Sequence, residues 1–232
     1  MEVSCTGGIT DHGQWIRLFP VPYRFLEPDQ RFSKYQWIEA RACKSSDQRP
    51  ESYQVDTDSI RILSRPLPTA DNWAARKQMI FPLMAPSLCH LQRARRETKA
   101  SMGFFKPHEI AGFDIEPEDN SDWTPEERAK LLQYDLFQER PFHPLEKIPF
   151  KFYYRFTCRE PGCRGHRLCC VDWELAQAYR SWRRRYGQNW ERALRNRFEY
   201  EMVERFDTHF FVGTVRAHPN SWIIVGLFYP LR

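Results

Sequence analysis

A short segment rich in cysteine and histidine constrains this chain more than any other feature. Its thirteen residues, CREPGCRGHRLCC, contain Cys158, Cys163, His166, Cys169 and Cys170. Thiolate sulfur and imidazole nitrogen are the ligands that Zn²⁺ prefers, and a structural zinc site takes four of them in a tetrahedron. The segment therefore has enough ligands for one site, and it predicts Zn²⁺ as a cofactor.

The spacing selects four of these five residues. Cys158 and Cys163 flank a segment with a Pro-Gly pair, which favours a turn that brings both sulfur atoms toward one ion. If a strand follows His166, the adjacent Cys169 and Cys170 point to opposite faces, and only one of them can ligate. We predict the metal ligands Cys158, Cys163, His166 and Cys169, with Cys170 in the core. The alternative is a set of reduced, half-buried thiols on a hairpin.

The N-terminal sequence bears on the compartment. The first residues, MEVSCTGGITDHG, lack the charged and apolar regions of a secretory signal. We therefore expect a cytoplasmic protein, in which clustered cysteines bind metal or act in catalysis more often than they form disulfides. No apolar run approaches the roughly 20 residues that span a bilayer, so we expect no membrane partner.

Periodicity and proline placement predict an α+β protein in three parts. Residues 1–68 contain short aromatic segments broken by proline, which suggests a β-rich, barrel-like or sandwich-like portion. Residues 69–145 are expected to be helical, with an acidic loop at 114–127 that carries seven acidic side chains and no Lys or Arg. Residues 146–232 are expected to form an antiparallel sheet with an αα-hairpin and the zinc-binding loop.

Three helices are predicted in the middle part. Asp71 is placed to cap the first helix, and Ser87 is placed to cap the second, which ends before Gly103. The third corresponds to TPEERAKLLQYDLF, where Thr124 and Glu127 match a capping box. The acidic loop would lead into this third helix.

The clearest strand is PFKFYYRFTC, at residues 149–158. Aromatic residues at alternate positions form one core face, and Lys151, Tyr153 and Arg155 lie on the other. A row of cation, ring and cation suits a nucleic-acid backbone with a base stacked on the ring. These three residues are therefore candidate nucleic-acid contacts. The alternative is the ordinary solvent-exposed face of a sheet.

Two helices are predicted after the cysteine cluster. Asp172 is expected to cap the first and Gly187 to end it, while Asn189 is expected to cap the second. Apolar residues at helical spacing predict a buried stripe on each helix. These are Leu175, Tyr179, Trp182 and Tyr186 on the first helix, and Trp190, Leu194, Phe198 and Met202 on the second.

Arginine is concentrated on this αα-hairpin. Residues 180–197 contain seven arginines and one glutamate. Guanidinium groups bind phosphate in a bidentate manner, so an outward-facing cluster predicts nucleic-acid binding. The candidate contacts are Arg180, Arg183, Arg184, Arg192 and Arg195. An acidic protein surface is the alternative partner for the same arginines.

Motifs of several enzyme classes are missing from the sequence. It contains no P-loop, no dinucleotide-binding glycine motif, no HExxH and no GxSxG. One enzymatic hypothesis is a nuclease in which Asp172 and Glu174 hold a divalent metal and His166 activates water. A second, a cysteine nucleophile at Cys89 and His90, is disfavoured because adjacent side chains on a helix diverge.

The favoured interpretation is a zinc-stapled accessory protein that binds nucleic acid through a basic helical face. DNA and RNA are equally compatible with it, because cationic side chains recognise the phosphate backbone of both. The metal-dependent nuclease and a non-catalytic subunit that docks an acidic protein are the alternatives.

Overall fold

A computed structural model describes residues 3–131 and 145–232. Their contacts divide the chain into two compact units. Among the described residues, the first unit takes those up to 83 together with 125–131, and the second takes 84–124 and 145–232. Residues 69–145, expected to form one helical part, are therefore shared between the two units.

The secondary structure combines strands and helices throughout the described ranges. The strands are β1 (Ser4–Ile9), β2 (Trp15–Val21), β3 (Ile38–Glu39), β4 (Ala42–Lys44), β5 (Ser52–Val55), β6 (Arg61–Ile62), β7 (Met84–Ala85), β8 (Met102–Phe105), β9 (Glu109–Pro117), β10 (Phe150–Thr157), β11 (His166–Cys170), β12 (His209–Thr214) and β13 (Trp222–Phe228). The α-helices are α1 (Ala70–Ile80), α2 (Leu88–Thr98), α3 (Pro125–Leu131), α4 (Trp173–Tyr186), α5 (Trp190–Arg195) and α6 (Glu201–Glu204), with a π-helical turn at Asn196–Tyr200. The predicted α+β character is confirmed.

The first unit is built around a four-stranded sheet in the order β1-β2-β5-β4, with β3 and β6 forming a separate pair. Its core contains Leu18, Val21, Leu26 and Ile60. The β-rich character predicted for the N-terminal part is thus present. The barrel or sandwich is not confirmed, because the described strands form one open sheet and one two-stranded pair.

The start of α1 differs from the prediction. Thr69 occupies the N-cap position, and its side chain makes no capping hydrogen bond. Asp71 lies inside the first turn with φ 50, and Asn72 and Trp73 have the same left-handed backbone. An N-cap side chain acts from extended backbone at the helix entrance, so Asp71 is not the cap.

A seven-stranded sheet in the order β7-β8-β12-β13-β11-β10-β9 dominates the second unit. The antiparallel arrangement predicted for residues 146–232 is wrong at one place, because β11 pairs with β13 in parallel. Strands β7 and β8, which come from the part predicted to be helical, add a second parallel pair to the same sheet. Parallel neighbours require a long crossover connection. For β11 and β13, helices α4 to α6 and strand β12 supply that connection.

The middle part is less helical than predicted. Leu88–Thr98 is a helix, and the Ser87 side chain accepts a hydrogen bond from the His90 N–H, which confirms Ser87 as its cap. However, 114–117 lie in strand β9 rather than in an acidic loop, and they pair with β10. The acidic side chains of this segment favoured a surface loop in the sequence analysis and hid the alternating pattern that indicates a strand. The predicted continuation of α3 beyond Leu131 lies outside the described residues.

Strand β10 confirms the alternation read from the sequence. Phe152, Tyr154 and Phe156 are buried in the core. Strand β11 pairs with β10 and places His166 beside Phe156. Because side chains alternate along a strand, His166 faces the same side of the sheet as this aromatic row, and Cys169 faces the other side.

The helices after β11 pack on the core face of this sheet. The Asp172 carboxylate accepts hydrogen bonds from two N–H groups at the start of α4, and Gly187 ends the helix with φ 54, so both predicted caps of this helix are confirmed. The Tyr179 and Trp190 rings, 4.9 Å apart, join α4 to α5. Asn189 makes no side-chain capping bond, contrary to the prediction.

Candidate metal centre

Three cysteines and one histidine form the candidate centre. The ligand atoms of Cys89, Cys158, Cys163 and His166 all lie within 4.8 Å of one another. The Nε2 atom of His166 is 3.2 Å from the Cys89 Sγ and 3.5 Å from the Cys163 Sγ. Such a set of three sulfur donors and one nitrogen donor matches a common structural zinc site.

The Pro-Gly pair closes the loop that carries three of these residues. The Cys163 N–H donates to the Glu160 carbonyl over 3.1 Å, which closes a four-residue turn. Pro161 occupies its second position, and Gly162, with φ 82, occupies its third. A type II turn requires positive φ at the third position, which glycine adopts without strain. The turn returns Cys163 to Cys158, as the spacing predicts.

The fourth residue comes from a distant part of the chain. Cys89 is the second residue of α2, directly after the capped start of that helix. Ser87 fixes where the helix begins and thereby fixes the position of Cys89 two residues after the cap. Cys89 and the loop between β10 and β11 meet on the core side of the sheet, where His166 also points.

The ligand set predicted from the sequence is corrected at one position. Cys158, Cys163 and His166 belong to the cluster, but Cys169 does not, and Cys89 takes its place. The reason is that side chains alternate between the two faces of β11, so Cys169 points to the face opposite His166. Cys170 is 3% exposed and lies in the core, as expected.

The thiols of the cluster differ in how readily they lose their protons. Burial and then the neighbouring Cys158 raise the pKa of Cys89 to about 12. Thiols at this separation lose their protons together only when a cation lies among them. The pKa of the Cys163 thiol is lowered, because hydrogen bonds from the Cys158 and Gly165 backbone outweigh its burial. Two N–H donors therefore already stabilise a thiolate.

The imidazole of the cluster is suited to ligation. Burial lowers the pKa of His166, an effect that the nearby Glu160 partly opposes. A lowered pKa keeps the ring neutral at physiological pH, and only the neutral ring has a lone pair for a metal. The ring also lies against Phe156, with centroids 5.3 Å apart, which restricts its orientation.

Residues 84–232 match the sequence model of a family described as Domain of unknown function (DUF8757). This chain belongs to that family. Residues 1–82 match a second family, described as Domain of unknown function (DUF8758). No match was found among curated proteins or among solved structures. All four residues of the cluster lie within the DUF8757 region.

The strand residues expected to contact nucleic acid, Lys151, Tyr153 and Arg155, already contact other side chains of the DUF8757 region. Arg155 Nε lies 3.0 Å from an Asp114 carboxylate oxygen, and Lys151 lies 3.6 Å from Glu118. The Arg167 guanidinium covers the Tyr153 ring at 3.7 Å from its centroid. Strand β9 supplies the carboxylate of Asp114, and the residue directly after the strand supplies that of Glu118. The stacking face of Tyr153 is already covered by Arg167.

The αα-hairpin arginines are only partly available. Arg180, expected on the exposed side, is 9% exposed, and its Nε donates to the Glu146 carbonyl over 2.9 Å. Arg183 lies 3.4 Å from the Glu146 carboxylate. Arg195 pairs with Glu191 at 2.9 Å and with Glu199 at 3.0 Å. Arg180 is buried where α4 meets the segment before β10, whose Glu146 carbonyl accepts from its guanidinium.

A smaller group of arginines remains available. Arg184, Arg185 and Arg192 are exposed, and none of them forms a salt bridge with another residue in the described ranges. They lie in the last turn of α4 and in the first turn of α5, close to the Gly187 connection. We call these three residues the hairpin arginines.

The carboxylates proposed for a nuclease have structural partners. Asp172 is 1% exposed and accepts from the Glu174 and Leu175 N–H groups and from the Leu227 N–H, the last over 3.0 Å. The Tyr229 hydroxyl donates to Glu174 over 2.7 Å. These bonds favour a capping and bridging role for Asp172 over metal ligation.

No helix in the described part of the chain is both long enough and apolar enough to cross a bilayer.

Proposed function

We propose that the DUF8757 region is a structural zinc domain whose ion is held by Cys89, Cys158, Cys163 and His166. The observation that carries this proposal is the convergence of the four donor atoms within 4.8 Å. Tetrahedral zinc with bonds of about 2.3 Å to sulfur and about 2.0 Å to nitrogen places sulfur and nitrogen ligands about 3.5 Å apart. The distances from the His166 Nε2 to two sulfurs, 3.2 Å and 3.5 Å, agree with that geometry.

The composition of the set supports a structural rather than a catalytic metal. Catalytic zinc keeps one of its four positions open for water or substrate, whereas structural zinc is closed by four protein ligands. Three sulfurs also exclude a preference for Mg²⁺ or Ca²⁺, which take oxygen ligands. The ion would fasten α2 to the loop between β10 and β11.

Metal analysis of the purified, untagged chain tests this proposal. We expect about one zinc per chain, because the cluster offers a single tetrahedral set. Cys163→Ser should lose the metal, whereas Cys43→Ser, which removes an exposed thiol outside the cluster, should keep it. Metal-free protein that is fully folded after isolation in the presence of zinc would contradict the proposal.

We propose nucleic-acid binding as the function that this domain supports, through the hairpin arginines. Arg184, Arg185 and Arg192 are exposed and form no ion pair with any residue that the structure describes, which favours this function, since only uncompensated cations release counterions from a phosphate backbone. An acidic protein partner would use the same charges. The two candidates differ in whether a nucleic acid of any sequence binds.

A salt titration distinguishes them. Wild-type protein should bind single-stranded or duplex oligonucleotides, with an affinity that falls as salt rises, and a triple alanine variant of the hairpin arginines should have a shallower slope. A matched triple variant, Arg155→Ala, Arg183→Ala and Arg195→Ala, removes three arginines that already have acidic partners. It should change the slope less. Oligonucleotide binding that is equal in the wild type and the hairpin variant would exclude this surface.

A further inference from the structure

Glu160 lies in the loop between two ligands of the cluster and contacts the helix that carries a third. Its backbone carbonyl accepts the Cys163 N–H over 3.1 Å. Its side chain reaches α2, where one carboxylate oxygen accepts from the Ser87 hydroxyl and the other lies 2.6 Å from the Arg93 guanidinium. One residue therefore bonds to the loop through its backbone and to the helix through its side chain.

The two helix contacts lie on either side of Cys89. Ser87 precedes it by two positions, and Arg93 follows it by four, about one turn later. The Ser87 oxygen also accepts the His90 N–H over 2.9 Å, so the hydroxyl that caps α2 is the group that donates to Glu160. The start of the helix and the loop are thus joined by a continuous chain of hydrogen bonds.

The two contacts differ in strength. Ser87 is 1% exposed, and a hydrogen bond from a buried hydroxyl to a carboxylate is strengthened by the charge of the acceptor. The Arg93 side chain is 60% exposed, and ion pairs in such positions contribute little. The serine contact should therefore matter more than the arginine contact for the position of α2.

We propose that Glu160 is a positioning residue of the metal centre, which holds Cys89 within reach of the other three ligands by fixing the N-terminus of α2 against the loop. This inference rests on the proposed zinc site and deepens it. The loop supplies three ligands from within nine residues, 158–166, whereas Cys89 joins them only if α2 is docked. Partners outside the ligand set orient ligands in this way in other metal sites.

Zinc affinity, measured on the full chain by competition with a chromogenic chelator, tests the role of Glu160. Glu160→Ala should weaken binding by roughly 10- to 100-fold, as is typical for loss of a partner that orients a ligand. Glu160→Gln, which keeps an acceptor for Ser87, should weaken it less, and Arg93→Ala least. Glu118→Ala is the matched control, because Glu118 is a similarly half-buried carboxylate that is paired with Lys147 and Lys151 away from the loop.

A cobalt spectrum separates positioning from a general loss of stability. With Co²⁺ in the site, Glu160→Ala should lose part of the thiolate-to-metal absorption and resemble Cys89→Ser, while Glu118→Ala keeps the wild-type spectrum. Wild-type affinity in folded Glu160→Ala would overturn the inference, as would a wild-type cobalt spectrum. If the alanine variant does not fold, Glu160→Gln decides, and unchanged affinity in it overturns the inference. A wild-type chain that binds no zinc would instead refute the zinc site itself.

Discussion

The Sγ atom of Cys89 and the Nε2 atom of His166 lie 3.2 Å apart, although 77 positions separate the two residues in the sequence. This contact joins the first turn of α2 to the first residue of β11. It makes the cluster a tertiary feature rather than a property of one loop. Its consequences for metal binding and stability can be measured.

Exchange of single thiols distinguishes Cys89 from Cys169 as the fourth ligand. We expect Cys89→Ser to reduce zinc affinity strongly, because serine oxygen is a much poorer zinc ligand than thiolate. Cys169→Ser should leave zinc affinity unchanged, since Cys169 lies on the opposite face of β11. Zinc titration of both variants, followed by metal analysis, makes the comparison. The reverse pattern would restore the ligand set expected from the sequence alone.

Removal of the metal should destabilise the second unit. A ligand that binds only the folded state stabilises it by about 2.7 kcal/mol at a free concentration of 100 Kd and by about 4.1 kcal/mol at 1,000 Kd. We therefore expect a lower thermal midpoint after chelation, recovered by added Zn²⁺ but not by Mg²⁺, which prefers oxygen ligands. Calorimetric scans with and without chelator measure this change. A midpoint that does not respond to chelation would argue against a structural ion.

Asp172→Ala should lower the free energy of unfolding, and we expect this loss to be independent of zinc binding. The variant loses the cap of α4 and a buried acceptor for the Leu227 N–H, which bridges the helix to β13. Loss of a cap and of a charged, buried hydrogen bond costs about 2 to 4 kcal/mol. Chemical denaturation measures the free energy of unfolding. Zinc content should stay at the wild-type level, and a zinc loss specific to this variant would reopen the metal-ligand hypothesis for Asp172.

Asp114 should make stability depend on pH at the acidic end. Hydrogen bonds from Arg167 and Arg155 outweigh burial and hold the pKa of its carboxyl below the ordinary value of 3.8. A carboxyl whose folded pKa is depressed stabilises the fold above its unfolded pKa and loses that contribution as pH falls through the folded pKa. Asp114→Asn should therefore cost about 1 kcal/mol at neutral pH, a small value because the site is partly exposed.

Denaturation of wild type and Asp114→Asn from pH 7 to below pH 3 provides the measurement. The difference between the two proteins should shrink below the ordinary carboxyl pKa and vanish once the wild-type group is protonated. Glu109→Gln removes an exposed carboxylate on the same strand that forms no salt bridge within the described ranges, so it serves as a control for the charge change alone. A difference that stays constant across this range would exclude Asp114 as its source.

Local patterns in the sequence predicted many elements correctly. The alternation of Phe152, Tyr154 and Phe156 defined β10, because period-two burial is a property of a single strand. Ser87, Asp172 and Gly187 marked helix ends, because capping is satisfied within one turn of the chain. The Pro-Gly turn brought Cys163 back to Cys158 for the same reason, since its hydrogen bond spans only four residues.

Other features depended on neighbours that local patterns do not specify. The acidic residues Asp114 and Glu116 were predicted to lie in a loop. They instead lie in strand β9, where Arg155 and Arg167 form ion pairs with them. Arg180 was predicted to be exposed because it belongs to a segment rich in arginine. The structure instead buries it where α4 meets Glu146. In both cases the partner comes from a distant segment.

The sequence by itself predicted a cluster of cysteine and histidine side chains that could ligate a metal, and it identified three members, Cys158, Cys163 and His166. These three are separated by short loops, so the chain connectivity alone brings them near one another. Only the tertiary structure decided the fourth. The docking of α2 brings Cys89 to the core side of the sheet, and the alternation of β11 turns Cys169 away, because a ligand set is fixed by direction in space as well as by spacing along the chain.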